Sequence, residues 1–328
     1  MLGDLSHSAY HVAASAHSGS ESGQSADQYL DTALNVVESE DVFSHNADWP
    51  SLRRRAHALL DGTPRPSIDD AQRAIEMVLA ALGNDGHAHV ISAATWAAMS
   101  AGETAPPESV ALPSGWMLNR AVGYVNLPGF VPLPDTPAAR RYATVGLDLV
   151  QRLTTQGARS WIVDLRTDSG GDMAPMLIAI APILGDGRLI GFRPLHGPTD
   201  WYSYRDDALF EGHRVSMRAP KHVRLAAAAP RVAVLIGAET GSAGEAVAIS
   251  FIGRPETRTF GLPTAGATSS PAYYALSDGA VLSFAAYSDV DRTGRTYLAS
   301  IQPDHVVADI NGNSALDAAR QWAASVTP

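Results

Sequence analysis

Three short segments set chemically capable side chains beside glycines at the ends of apolar runs: NDGHAHV (84–90), DLRTDSGGDM (164–173) and GAETGSAGEAV (237–247). In the last, an apolar run ends at Gly237 and Ser242 stands where a helical pattern begins, between Gly241 and the small residues Ala243 and Gly244. A serine so placed holds its hydroxyl near helix N-terminal amides, which favour a developing negative charge. It is equally the residue of an ordinary helix N-cap, and this one segment does not choose between the two. In the middle segment, Gly170 and Gly171 let backbone N–H groups turn toward a ligand without side-chain obstruction. The segment lacks the Lys and the Ser/Thr that complete a phosphate-binding loop. The first segment holds His87 and His89 in a polar turn. A nucleophilic serine needs a proton acceptor, and imidazole is the side chain tuned near neutral pH. The other nine histidines lie in the N-terminal arm, a helical stretch or charged loops, so this pair is the best local candidate. With Asp85 beside them but no third and fourth ligand evident, the pair does not read as a metal site, and no cofactor is expected.

The elements that must position these residues fall into two textures. From 26 to 82, apolar residues recur at helical spacing over 29–37, 49–60 and 68–82, and Ser67 caps the third helix with Asp69 and Asp70 in its first turn. After about residue 120 strands alternate with helices. Strands are expected over 121–127, 160–165, 232–236, 272–276 and 281–287, with hairpin material over 188–213. Helices are expected over 137–155, 173–184, 241–251 and 314–324, the first with Thr136 and Gly157 as its cap residues. Strand–helix alternation implies crossover units on one sheet. Three divisions result: a loose arm over 1–25, a small helical domain over 26–83, and an α/β core over 84–328.

Composition narrows the chemistry. Of 328 residues 45% are apolar and 18% charged, a globular balance. The net charge of -10 is scattered, and the densest basic run is Arg53–Arg54–Arg55, which argues against a nucleic-acid surface. There is no cysteine, so any nucleophile is oxygen or amine. No apolar stretch has the length of a membrane span or a signal peptide. The sequence as given therefore reads as soluble and cytoplasmic, or as secreted where a leader has been removed.

Taken in order, DGH after a helix, GYVNLPGF (123–130), DLRTDSGG, VAVLIGAETGSAGEA, TAGAT (264–268) and IQPDHVV (301–307) resemble the tail-specific, or C-terminal processing, serine peptidases over about residues 68–325. The resemblance implies a Clp protease/crotonase-like α/β core behind a helical N-terminal region. It makes Ser242 the nucleophile, the backbone N–H of Ala243 and of Gly170 or Gly171 the oxyanion hole, and His87 the general base, with His89 two residues away. The processing-protease branch places a lysine where this chain has Ala267, so a serine–lysine dyad is disfavoured.

Two departures accompany the likeness. About 30 residues separate DGH from GYV, too few for the peptide-binding PDZ domain the family often carries there. The tricorn-like branch has a glutamate that orients the catalytic network where this chain reads Tyr297–Leu298–Ala299, leaving Asp289 or Asp291 as substitutes. The implied function is peptide-bond hydrolysis through an acyl-enzyme, acting on a peptide or small acyl substrate. Ester hydrolysis or another acyl transfer on the same site is one alternative; a non-catalytic ligand-binding protein, as among the retinoid-binding relatives, is another.

Overall fold

The computed structural model describes residues 12–13, 24–83, 86–100, 110–131, 136–227, 229–308 and 313–325. Most of the arm expected over 1–25 lies outside the described residues. Its short strand β1 (Val12–Ala13) pairs in parallel with Tyr273–Tyr274.

Three amphipathic helices come next, α1 (Ala26–Glu40), α2 (Trp49–Asp61) and α3 (Ile68–Ala81). Ser67 caps α3 as expected, accepting from the Asp70 amide, and the Asp70 carboxylate in turn accepts from the Ser67 amide, which makes the cap reciprocal. Their apolar faces do not close on one another alone. Leu30, Leu34, Ile75 and Val78 share one cluster with Leu282, Phe284 and Ala286 of a strand in the chain's second half. The buried Asp41 fastens this contact by accepting from the Ala285 amide at 3.0 Å.

The remaining chain builds two sheets. Strand β2 (His89–Ile91) and helix α4 (Ala93–Ser100) lead to β3 (Ser114–Met117), β4 (Val122–Asn126), α5 (Pro137–Thr155) and β5 (Ser160–Asp164). The helix expected over 173–184 is two helices, α6 (Met173–Ala179) and α7 (Ala181–Leu184), broken at Ile180. Pro182 explains the break, because it has no N–H for the Ile178 carbonyl. Hairpin strands β6 (Gly187–Pro194), β7 (Asp200–Arg205), β8 (Ala208–Glu211) and β9 (Arg214–Arg218) precede β10 (Val232–Ile236), α8 (Ala243–Phe251) and β11 (Thr257–Gly261). Strands β12 (Ser269–Ala275), β13 (Val281–Val290), β14 (Thr296–Tyr297) and β15 (His305–Val306) and helix α9 (Ser314–Ala324) complete it.

The crossover units do share one sheet, of order β15-β11-β10-β5-β4-β3, parallel except at β3. Its central strands are buried on both faces: Val125, Trp161, Val163 and Val234 meet α5 and α8, while Tyr124, Ile162 and Leu235 meet α9. The hairpins form a second sheet, β1-β12-β13-β6-β7-β8-β9, which single-sheet reasoning from the crossovers did not foresee. Short hairpin connections make antiparallel neighbours, so these strands pair in sequence with one another. Among the described residues no helix is long and apolar enough to cross a membrane.

Candidate active site

The site forms where the C-terminal ends of three adjacent parallel strands, β4, β5 and β10, face the second sheet. Ser242 ends the turn after β10 and caps α8 with φ 51° and ψ -119°, a left-handed conformation unusual for serine. The turn is pinned on both sides. Thr240 Oγ1 donates to the Leu165 carbonyl at 2.8 Å and accepts from the Gly237 amide at 3.0 Å, and the Gly241 amide donates to the Asp168 carbonyl at 3.0 Å. A Cβ at Gly244 would lie 2.4 Å from that same carbonyl, so the helix start packs directly on the DSGG loop. The Ser242 amide donates to Glu245 Oε2 at 3.1 Å.

Glu245, fully buried, also accepts from Thr264 Oγ1 and from the Gly266 amide, locking the TAGAT loop to α8. Burial raises its carboxyl above the ordinary range, against the lowering effect of these donors. It was not singled out from the sequence, although its place three residues after a helix-capping serine is a readable signal.

The DSGG loop supplies the amides. Gly170 (φ 113°) and Gly171 (φ 119°) both occupy backbone regions that favour glycine. The two are not equivalent. The Gly170 amide donates to Asp168 Oδ1 at 3.0 Å. Phe130 bridges Gly171 in parallel, bonding the Gly170 carbonyl and the Asp172 amide, which leaves the Gly171 N–H directed away from that strand. Gly171 and Ala243, the first residue of α8 and hence an uncapped helix amide, line the same cavity as Ser242 and His87.

His87 arrives from the other sheet. It precedes β2, which pairs with β13, and Ser283 Oγ of β13 donates to the His87 carbonyl at 2.6 Å. Its Nε2 lies 3.0 Å from Ser242 Oγ and its Nδ1 3.1 Å from Ser269 Oγ. For Nε2 to accept the Ser242 hydroxyl proton, Nδ1 carries the ring hydrogen and donates it to Ser269. His89 is exposed on β2 and does not line the cavity.

The two aspartates considered as substitutes for the missing glutamate stand in different places. Asp289 lines the cavity and accepts from Ser270 Oγ at 3.3 Å, whereas Asp291 closes a turn through Thr293 and Tyr297. Ser269 was missed because a serine at a strand start carries no mark of its own; its place directly after TAGAT was the available hint. The arrangement of hydroxyl, imidazole and converging amides in a cavity of about 230 Å³ is suited to nucleophilic attack on a carbonyl.

A serine hydroxyl beside an imidazole at the edge of a parallel sheet is the arrangement of a serine-type hydrolase. The chain belongs to peptidase family S41, whose family model matches residues 121–307. It is similar to the nisin-resistance protein of Lactococcus lactis subsp. lactis, 31% identical over 162 residues, which span 49% of this chain and 48% of that protein. The chain thus aligns with about half the length of that curated relative. Among solved structures it resembles a lipoprotein from Streptococcus agalactiae (22% identity, TM-score 0.67, covering 92% of this chain and 97% of that one). It also resembles the photosystem II D1 C-terminal processing protease (14% identity, TM-score 0.59, covering 91% and 97%). The fold is the one the family likeness implied, a Clp protease/crotonase-like α/β core with a helical N-terminal region.

Proposed function

We propose that this protein is a serine peptidase in which Ser242 attacks a peptide carbonyl and His87 takes the hydroxyl proton on Nε2. The 3.0 Å approach of His87 Nε2 to Ser242 Oγ, between residues 155 positions apart in sequence, carries this reading. The amides of Gly171 and Ala243 receive the developing oxyanion, and His87 returns its proton to the leaving amine. Gly170 serves by bending the loop, its own amide being engaged by Asp168. Water then releases the acyl group by the same route in reverse. In this reading residues 26–83 are a helical unit buttressing the core of residues 84–328, with no PDZ domain interposed. The likeness to a nisin-resistance protein makes nisin the first natural peptide to offer it.

Intact mass after incubation with a fluorophosphonate probe tests the assignment. Wild type is expected to gain one adduct, Ser242→Ala none, and His87→Ala to label far more slowly. A folded wild-type protein that stays unlabelled would return the site to the ligand-binding alternative.

A further inference from the structure

The cavity beside Ser242 is strongly acidic. Four carboxylates, Asp172, Asp200, Glu211 and Asp289, contribute to its wall, and none of its described lining residues is Lys or Arg. Strand register places three of them. Asp289 of β13 pairs with Phe192 of β6, which pairs with Asp200 of β7, and two residues further along β7 Tyr202 pairs with Glu211 of β8. Residues two apart on a strand share a face, so acids and aromatic rings make one continuous panel.

Asp172 approaches from the opposite side. It caps α6 through Oδ1, which accepts from the Ala174 amide at 2.9 Å. Its Oδ2 is buried without a hydrogen-bond partner, on a residue only 9% exposed. A buried carboxylate oxygen left unmatched is costly unless a donor completes it. Asp172 follows Gly171 directly in the chain, so the vacant acceptor sits one residue from a proposed oxyanion donor.

The acids also sense one another. Burial raises the Tyr202 hydroxyl above its ordinary range, and the charges of Glu211 and Asp172 add to that, with Arg214 opposing them. Arg214 stands across from Glu211 on the exposed edge strand β9. Burial likewise lifts the Asp172 carboxyl to about 6, and no Lys or Arg among the described lining residues offsets its charge. Among the described residues no three His, Asp or Glu side chains converge to hold a metal ion. Separated carboxylates with aromatic walls suit an elongated organic cation, whose stem packs on rings while its head finds an acceptor.

We propose that this cavity selects a cationic side chain, lysine or arginine, at a substrate residue flanking the scissile bond, with Asp172 as its buried counter-ion. The remaining acids supply the surrounding negative field. The proposal rests on the peptidase reading for what the bond is, but not for whether the cation binds.

Binding therefore tests it. Calorimetric titration of the full chain carrying Ser242→Ala uses two pairs of capped tetrapeptides, alike except at one central residue: arginine against citrulline, and lysine against norleucine. The cationic member of each pair is expected to bind about tenfold tighter or better. Adding Asp172→Asn, which keeps the oxygen that caps α6, should shrink that preference to within about twofold. Should that variant fail to fold, Asp200→Asn on the exposed rim must still weaken the preference. Equal affinities within each pair, no binding of any of the peptides, or a preference untouched by these changes overturns the proposal. Probe labelling without charge preference sinks the pocket alone, and charge preference without labelling sinks the nucleophile alone.

Discussion

At Ser242 the backbone is held at φ 51°, where a side chain is strained by roughly 1–3 kcal/mol and glycine is not. Ser242→Gly is therefore expected to be more stable than Ser242→Ala by about 1 kcal/mol in denaturant unfolding, both being inactive. Equal midpoints would mean that the turn relaxes without the serine. His87 gives a second test, because its Nδ1 lies against the Ser269 hydroxyl. Ser269→Ala should lower kcat by about 10- to 100-fold with KM little changed, and Ser269→Thr should restore most of it. A loss confined to KM would assign Ser269 to substrate contact. Ser242 and His87 were legible in the sequence, since glycines and small residues mark a sharp turn wherever they occur. Ser269 was not, being 182 positions from the ring it touches.

At the scale of elements, the turns after β5 and β10 are built for close approach. A Cβ at Gly171 would stand 1.9 Å from the Phe130 carbonyl oxygen, and one at Gly170 2.8 Å from the Ser242 Cβ. Gly171→Ala is expected to cost about 2.7–4 kcal/mol of transition-state stabilisation, measured as kcat/KM, by displacing an amide proposed for the oxyanion hole. Activity within about threefold of wild type would remove the Gly171 amide from that role. Glu245 ties two segments together, the start of α8 through the Ser242 amide and the TAGAT loop through Thr264 and Gly266. Glu245→Gln turns a donor toward the Ser242 amide and should destabilise the fold by about 1–3 kcal/mol. An unchanged unfolding midpoint would show that the TAGAT loop holds without it. The long helices were foreseen from periodicity and caps, as at Ser67 and Thr136, whereas the short α4 was not and the break at Ile180 was missed. The short β2, β3 and β11 were not: isolated runs of three to five residues have too little pattern of their own and exist because a neighbouring strand pairs with them.

On the scale of the whole molecule, the two sheets bury acids between them that the solvated chain ionises freely. Burial raises Asp168 to about 7, only partly offset by the Gly170 amide. A carboxyl raised on folding contributes stability that is present below its unfolded value, near 3.8, and is lost as pH rises toward 7. The unfolding free energy of wild type should thus fall relative to that of Asp168→Asn between about pH 4 and 7, by an amount on the order of a few kcal/mol, and run parallel to it above, as read by denaturant unfolding across pH. Parallel curves throughout would mean that Asp168 is solvated in the native state.

What the sequence by itself determined is local: the helices, the buried parallel strands, the two glycine turns and the candidacy of Ser242 and His87. Caps, hydrophobic period and glycine conformation act within a few residues, so a linear reading reaches them. Only the tertiary structure decided that His87 crosses from one sheet to meet Ser242 on the other, that the Gly170 amide is taken up by Asp168, and that four carboxylates share a wall. Those outcomes depend on register. The irregularity at Ser270 and Pro271, where proline cannot join the ladder, sets which way the start of β12 faces, and with it whether Ser269 reaches the imidazole.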